Sequence, residues 1–117
     1  MNSVCLVGRI ASDLEFKEVG GASFLRFSLA VQRNYTNSEG ERDTDFIPVV
    51  VWRRLAEVCA ENLEKGRLIG VVGRVQTRSW EDDDEKKHKV VEIVAEEVRF
   101  LDRKRDREEE RKEAKKK

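Results

Sequence analysis

The chain has 117 residues, which fits one domain with a single modest hydrophobic core. Hydrophobic residues make up 38% and charged residues 41%, and 24 Lys or Arg balance 24 Asp or Glu. No apolar run approaches the roughly 20 residues that span a bilayer, and no secretory signal pattern is visible. Cys5 and Cys59 are too few for a disulfide framework and lack ligand-like spacing, so the chain reads as cytoplasmic with reduced thiols.

Most segments alternate with period two, as strands do. Residues 3–10 read as a first strand with a bend at Gly8. Val19, Gly20 and Gly21 form a turn. In residues 24–33, Leu25, Phe27, Leu29 and Val31 alternate with Arg26, Ser28 and Gln32, which predicts a strand with one buried face. Residues 34–44 are polar, with a turn at Asn37-Ser38-Glu39-Gly40. Residues 45–52 predict a third strand, apolar on both faces for much of its length.

The period then changes. Leu55, Val58, Cys59 and Leu63 fall on one stripe of a helix, and Lys65-Gly66 supplies its stop. Residues 67–80 are a long strand interrupted by Gly70 and Gly73, residues 81–85 an acidic turn, and residues 89–101 the last strand. Three strands, a helix and two strands is the order of the OB-fold. That is an all-β, five-stranded barrel with one helix between strands 3 and 4. The order alone also fits other small β-barrels.

Beyond Leu101 the composition changes abruptly. From residue 102 to 117 only Ala114 is uncharged, so we divide the chain into a domain at 1–101 and a charged tail at 102–117, disordered or partly helical. The tail holds nine Lys or Arg against six Asp or Glu, a net of +3. The domain is therefore −3, with five of its acids in the run 81–85. A binding face need only be locally basic, because screening limits the reach of charge to about 8 Å at physiological salt.

Two rows stand out within the domain. Phe46, Pro48, Val50 and Trp52 share one parity of the third strand, and Arg74, Gln76, Arg78 and Trp80 share one parity of the fourth. Two guanidiniums, an amide and an indole make a poor core face. Flat rings for stacking beside cations are what sequence-tolerant binding of single strands requires. Arg and Trp are also enriched in protein interfaces, which is the competing reading. The acidic run 81–85 raises a metal-dependent nuclease as a rival, but successive carboxylates in a turn diverge, whereas a two-metal site needs ligands converging from several elements. His88 has no partner nucleophile and reads as a surface residue; Cys5 and Cys59 read as small core residues. No Walker loop, zinc-protease helix or nucleophile elbow is present, so the chain is read as a binding protein with no catalytic residue, no metal and no cofactor.

Five stretches in order, MNSVCLVGRI, FSLAV followed by Tyr35, DFIPVVVWRRLAEVCAENLEKG, GRVQTRSWE and VVEIVAEEVRFL, resemble the bacterial and phage single-stranded DNA-binding protein family over nearly all of residues 1–101. The resemblance implies an OB-fold, a homotetramer formed partly through the first strand near Val4 to Val7, and single-stranded DNA as the ligand. It implies DNA stacking by Tyr35, Phe46, Trp52 and Trp80, where Tyr35 and Phe46 replace the family's frequent tryptophan. Arg9, Arg33, Arg53, Arg54, Arg74 and Arg78 are the expected phosphate contacts; Arg26 and Arg67 are left as solvated. Pro48 departs from the basic or polar residue frequent there. The tail departs too: it ends in three lysines rather than an acidic tip, so partners that dock on such a tip are not expected. The fold is shared by primosome-type accessory proteins that work mainly through protein contacts. Four candidate stacking rings weigh against that alternative.

Overall fold

The computed structural model describes residues 1–102; the expected conformation of the tail lies outside the described residues. Six strands and one helix follow one another as β1 (Val4–Ile10), β2 (Glu15–Val19), β3 (Ala22–Gln32), β4 (Thr44–Trp52), α1 (Arg53–Asn62), β5 (Leu68–Glu81) and β6 (Lys87–Phe100). The sheet order is β1-β5-β6-β4-β3-β2, and β1 also pairs with β3 through Arg9↔Ala30 and Ile10↔Leu29. Five strands thus close into a ring, with the helix entering where the sequence placed it. β4 and β6 run parallel at Val49↔Ile93 and Val50↔Val94.

The sixth strand, β2, was not expected. Every residue of Glu15–Val19 is exposed, so the segment has no buried face and gives no period-two signal. It is an edge strand held by its pairing to β3 from Glu15↔Arg26 to Val19↔Ala22.

The alternation read from the sequence builds the core. Leu25, Phe27 and Leu29 of β3, Val49 and Val51 of β4, Ile69 and Val71 of β5, and Ile93 and Ala95 of β6 point into the ring with Ile10. Ala56, Cys59 and Leu63 close the core from the helix side. Each fully buried Leu, Ile, Val or Phe contributes about 1.5–3 kcal/mol by leaving water. Burial pushes the Cys59 thiol up to about 11, so it stays protonated. Cys5, expected in the core, is exposed on β1.

Two glycines permit the close approaches of a small barrel. A Cβ on Gly8 would stand 2.2 Å from the Ala30 carbonyl oxygen, where β1 meets β3. One on Gly73 would stand 2.1 Å from the Val94 oxygen, beside the register shift that bends β5 against β6.

The helix ends earlier than Lys65-Gly66 implied. Leu63 already has extended backbone, which turns its side chain into the core, and its N–H donates to the Cys59 carbonyl at 2.8 Å. Gly66 instead shapes the next turn, donating its N–H to Ile10 at 2.7 Å. At the far end, Asp102 is part of the folded body, one residue past the predicted boundary. It accepts from Arg67 Nε at 3.2 Å and from the Leu68 N–H at 3.3 Å, and both side chains of the Arg67–Asp102 pair are under 15% exposed. Arg67, expected to be solvated, is therefore a structural cation. Its guanidinium also lies 4.9 Å from the Phe100 ring centre.

Candidate nucleic-acid interface

Cross-strand partners share a face, so the register defines the outer wall of the barrel. On β5 and β6 the pairs are Arg74↔Val94, Gln76↔Glu92, Arg78↔Val90 and Trp80↔His88. Val94 pairs with Val50 of β4. Across β4 and β3 the pairs Trp52↔Phe24, Val50↔Arg26 and Phe46↔Ala30 continue the same face. The two rows singled out from parity therefore lie on one continuous surface, Trp52 at one side and Trp80 at the other.

Trp52 is half-buried. Its ring meets Phe24 edge-on at 4.7 Å, and both pack with Val50 and Val94 in a small cluster on the outside of the barrel. The apolar neighbours on both faces of β4 thus have a reason: one parity fills the ring and the other supports the outer platform. Phe46, on the same parity, is 66% exposed. Pro48 stands between them, half-buried, opposite Ser28.

Trp80 is 44% exposed on the arm that β5 and β6 form beyond the ring. Its indole lies on the His88 ring at 5.4 Å and 21°, and the Arg78 guanidinium sits 4.9 Å from the indole centre. His88 Nε2 and Asp82 Oδ2 share a hydrogen bond at 2.6 Å. Asp82 Oδ1 accepts from the Asp84 and Lys86 N–H groups, both at 2.9 Å. Chiefly through the His88 bond, then the Lys86 amide, the Asp82 carboxyl is held below the usual carboxylate range. His88, read from sequence as a partnerless surface residue, is the support on which Trp80 rests. The acidic turn is a hairpin tip, and one of its carboxylates organises that tip.

Glu92 was also missed. It is 3% exposed beneath the platform, accepting from Gln76 Nε2 at 2.9 Å and lying 3.4 Å from Arg78 Nε. It fixes the amide and the guanidinium in the row. Its signal was an acid at the centre of an apolar strand, which alternation alone treats as a solvent position.

Tyr35 is 63% exposed in the loop after β3. Arg33 anchors that loop, donating from Nε and Nη2 to the two Asp45 oxygens at 3.1 and 2.9 Å, with Asp43 at 3.7 Å. It also donates to the Tyr35 hydroxyl at 3.4 Å. This pairing raises the Arg33 pKa and lowers that of Asp45. Arg33 is thus occupied by carboxylates. Arg53 and Arg54 are exposed at the start of α1, Arg54 3.7 Å from Glu57. Arg74 is exposed beside Val94. Arg9 lies in register with Phe46 through Ala30, and donates from Nη1 to the Gly66 carbonyl at 3.1 Å. Arg26, set aside in the sequence, lies on the platform itself. Among the described residues no three His, Cys, Asp or Glu converge as metal ligands.

The chain is similar to known proteins. The profile of the single-strand binding protein family matches residues 1–101. A single-stranded DNA-binding protein of Caldanaerobacter subterraneus subsp. tengcongensis is 50% identical over 103 residues, covering 87% of this chain and 69% of the relative. Single-stranded DNA-binding protein 2 of Listeria innocua is also 50% identical over 103 residues, with 87% and 65% covered. This chain therefore spans about two thirds of the length of these relatives. Among solved structures, the SSB of Plasmodium falciparum in complex with ssDNA superposes with a TM-score of 0.76 at 27% identity, covering 87% of this chain and 96% of that one. With a profile match over the whole barrel and half the residues shared with relatives, this chain belongs to the single-strand binding protein family.

Proposed function

We propose that this chain binds single-stranded DNA with little sequence preference and without catalysis, protecting unwound DNA during replication, recombination or repair. The observation that carries the reading is the continuous outer face that Trp52, Phe46 and Trp80 share with Arg74 and Arg78. Rings stack on any base, because every base has a π face, and guanidiniums follow the backbone whatever the sequence. For a base to reach Trp80, the Arg78 guanidinium swings from the indole toward the phosphate that arrives with that base. Glu92 keeps its other side tethered. Tyr35 adds a ring from its loop, and Arg9, Arg53 and Arg54 add cations around Phe46 and Trp52. Arg33 contributes by holding the Tyr35 loop rather than by meeting phosphate.

The working form is a homotetramer. From Val4 to Gly8 one side of β1 pairs with β5 while its other edge is open, and Cys5, Val7 and Leu101 expose a partly apolar surface beside it. Pairing of that edge with a second copy would cover it. Among the described residues no helix is long and apolar enough to cross a membrane. A protein that coats unwound DNA works in the cytoplasm, at the nucleoid. The binding domain ends at Asp102, so a chain cut after that residue keeps its fold and its affinity for oligonucleotides.

Titration with oligo-dT tests the reading. Trp52 and Trp80 are the chain's two tryptophans, so stacking should quench most of the emission, and duplex DNA should bind far more weakly. Unchanged emission at saturating oligonucleotide would sink the assignment. The oligonucleotide should also remain intact after incubation with magnesium; cleavage would restore the nuclease reading. Light scattering giving a monomer mass at micromolar concentration would refute the tetramer.

A further inference from the structure

We propose that Arg26, with Lys17 behind it, is a further phosphate-binding site that extends the nucleic-acid track past Trp52 onto the β2–β3 hairpin. This rests on the single-stranded DNA reading above. The pairs Arg74↔Val94, Val94↔Val50 and Val50↔Arg26 form one transverse row across β5, β6, β4 and β3. Two buried valines floor the row and an arginine stands at each end. Three strand spacings of about 4.8 Å separate those ends. An apolar floor bounded by cations suits a nucleotide chain whose bases face the floor and whose phosphates meet the rims.

A buried Nε without a partner separates Arg26 from the other described arginines. Its Nε is enclosed without a hydrogen-bond partner, and among the described residues no hydrogen bond or ion pair involves the side chain. Its guanidinium lies 5.5 Å from the Phe24 ring centre, and Lys17 Nζ lies 5.6 Å from the same ring. Phe24 in turn meets Trp52 edge-on. Arg78 is engaged by Glu92 and Arg33 by Asp45. The carboxylate opposite Arg26 in the register, Glu15, instead pairs with Lys17 at 3.6 Å. Asp13 and Glu15 line the shallow concavity beside Arg26 together with Ser12, Ser28 and Pro48, yet neither carboxylate takes the guanidinium. A half-buried guanidinium with no acceptor among the described residues, held by an aromatic ring next to a stacking tryptophan, is prepared for an external anion. The phosphodiester of a strand already lying on Trp52 is that anion. Pro48 brings no charge to the neighbouring strand, and Arg26 is the cation that β3 sets opposite Val50.

The test is a salt series of oligo-dT titrations read by tryptophan emission, on the full chain and on Arg26→Met, Arg26→Lys and Glu15→Gln. Methionine keeps an apolar stem on Phe24 and removes the charge. For Arg26→Met the slope of log affinity against log salt should be shallower by about 0.7, so a fourfold rise in salt should weaken the unaltered chain about threefold more than the variant. Arg26→Lys should restore most of the slope. Glu15→Gln should bind about twofold tighter, because a carboxylate leaves the phosphate path. An unaltered chain that quenches normally beside an Arg26→Met variant of identical slope overturns this proposal and leaves the broader reading intact. If Arg26→Met lowers the thermal midpoint sharply, the Lys and Gln variants decide: a shallow slope with lysine and unchanged affinity with Glu15→Gln overturn it. Absence of quenching in the unaltered chain is the separate result that overturns the broader reading.

Discussion

Trp52 and Trp80 share a face and differ in what stands behind them. Trp52 ends β4 on the closed part of the barrel, wedged against Phe24, Val50 and Val94. Trp80 lies on the arm, where residues beyond Gln76 pair only between β5 and β6. There its supports are an imidazole and a guanidinium rather than a hydrophobic cluster. On the proposed reading, a stacking ring can be held by core-like packing, which fixes it and would tie binding to stability. It can also be held by surface groups that leave it free to re-aim, and then binding and stability separate.

The largest effect should come from the barrel side. Trp52→Ala removes a ring from the Phe24 cluster and should cost roughly 2–3 kcal/mol of stability, less than the ~3–5 kcal/mol of a fully buried Trp. It should also cost affinity, read by denaturant unfolding and oligo-dT titration on the same sample. Lost affinity with unchanged stability would erase the distinction between the two sites.

Trp80→Ala is the complementary case. Affinity should fall by about 1–3 kcal/mol, the range for one stacked base, while stability stays within about 0.5 kcal/mol, as for other surface changes. A large drop in the unfolding midpoint would show that the arm is part of the cooperative core.

Acid should act on the arm before the barrel. The Asp82 carboxyl is lowered, first by His88 and then by the Lys86 amide. A carboxyl whose folded pKa is depressed contributes stability above its ordinary value, and loses it as pH falls through the depressed one. The tip should therefore hold at neutral pH and loosen only below about pH 4. Amide exchange at residues 82–88 would report this, and Asp82→Ala should show the loosened tip already at pH 7. Equal protection in the two proteins at pH 7 would mean that Asp82 does not organise the tip.

The smallest effect concerns Arg53, whose φ of +62° lies in the left-handed region at the turn from Trp52 into the helix. That conformation costs a non-glycine residue about 1–2 kcal/mol, partly offset in a glycine variant by roughly 0.5–1 kcal/mol of backbone entropy. Arg53→Gly should leave stability equal or up to ~1.5 kcal/mol higher while making the salt dependence of binding shallower. A destabilised variant would show that the arginine side chain holds the turn.

Much of this was legible because strands write their faces into the chain. The alternation of Leu25, Phe27 and Leu29, and of Val49 and Val51, announced the inside of the ring. The shift to helical spacing at Leu55, Val58 and Cys59 placed α1, and apart from β2 the order of elements matched the observed one. β2 left no trace because an edge strand with both faces in water has no period to show. The tail boundary missed by one residue because a charged side chain in a charged run gives no sign that it is paired 35 positions back in sequence, as Asp102 is with Arg67.

The sequence by itself determined the residue types of the platform, the parity that put Arg74, Gln76, Arg78 and Trp80 on one side, and the barrel that carries them. These follow from local geometry, since the two-residue repeat of a strand needs no knowledge of its neighbours. Only the tertiary structure decided which cations are free. Arg33, Arg67 and Arg78 each meet a carboxylate from elsewhere in the chain, whereas Arg26 meets none among the described residues. It also decided that His88 carries Trp80 and that Val50 and Val94 floor the space between Arg26 and Arg74. Those facts depend on register between strands far apart in sequence. Ion pairing and ring contact act over a few ångströms, so they are fixed only when the barrel closes.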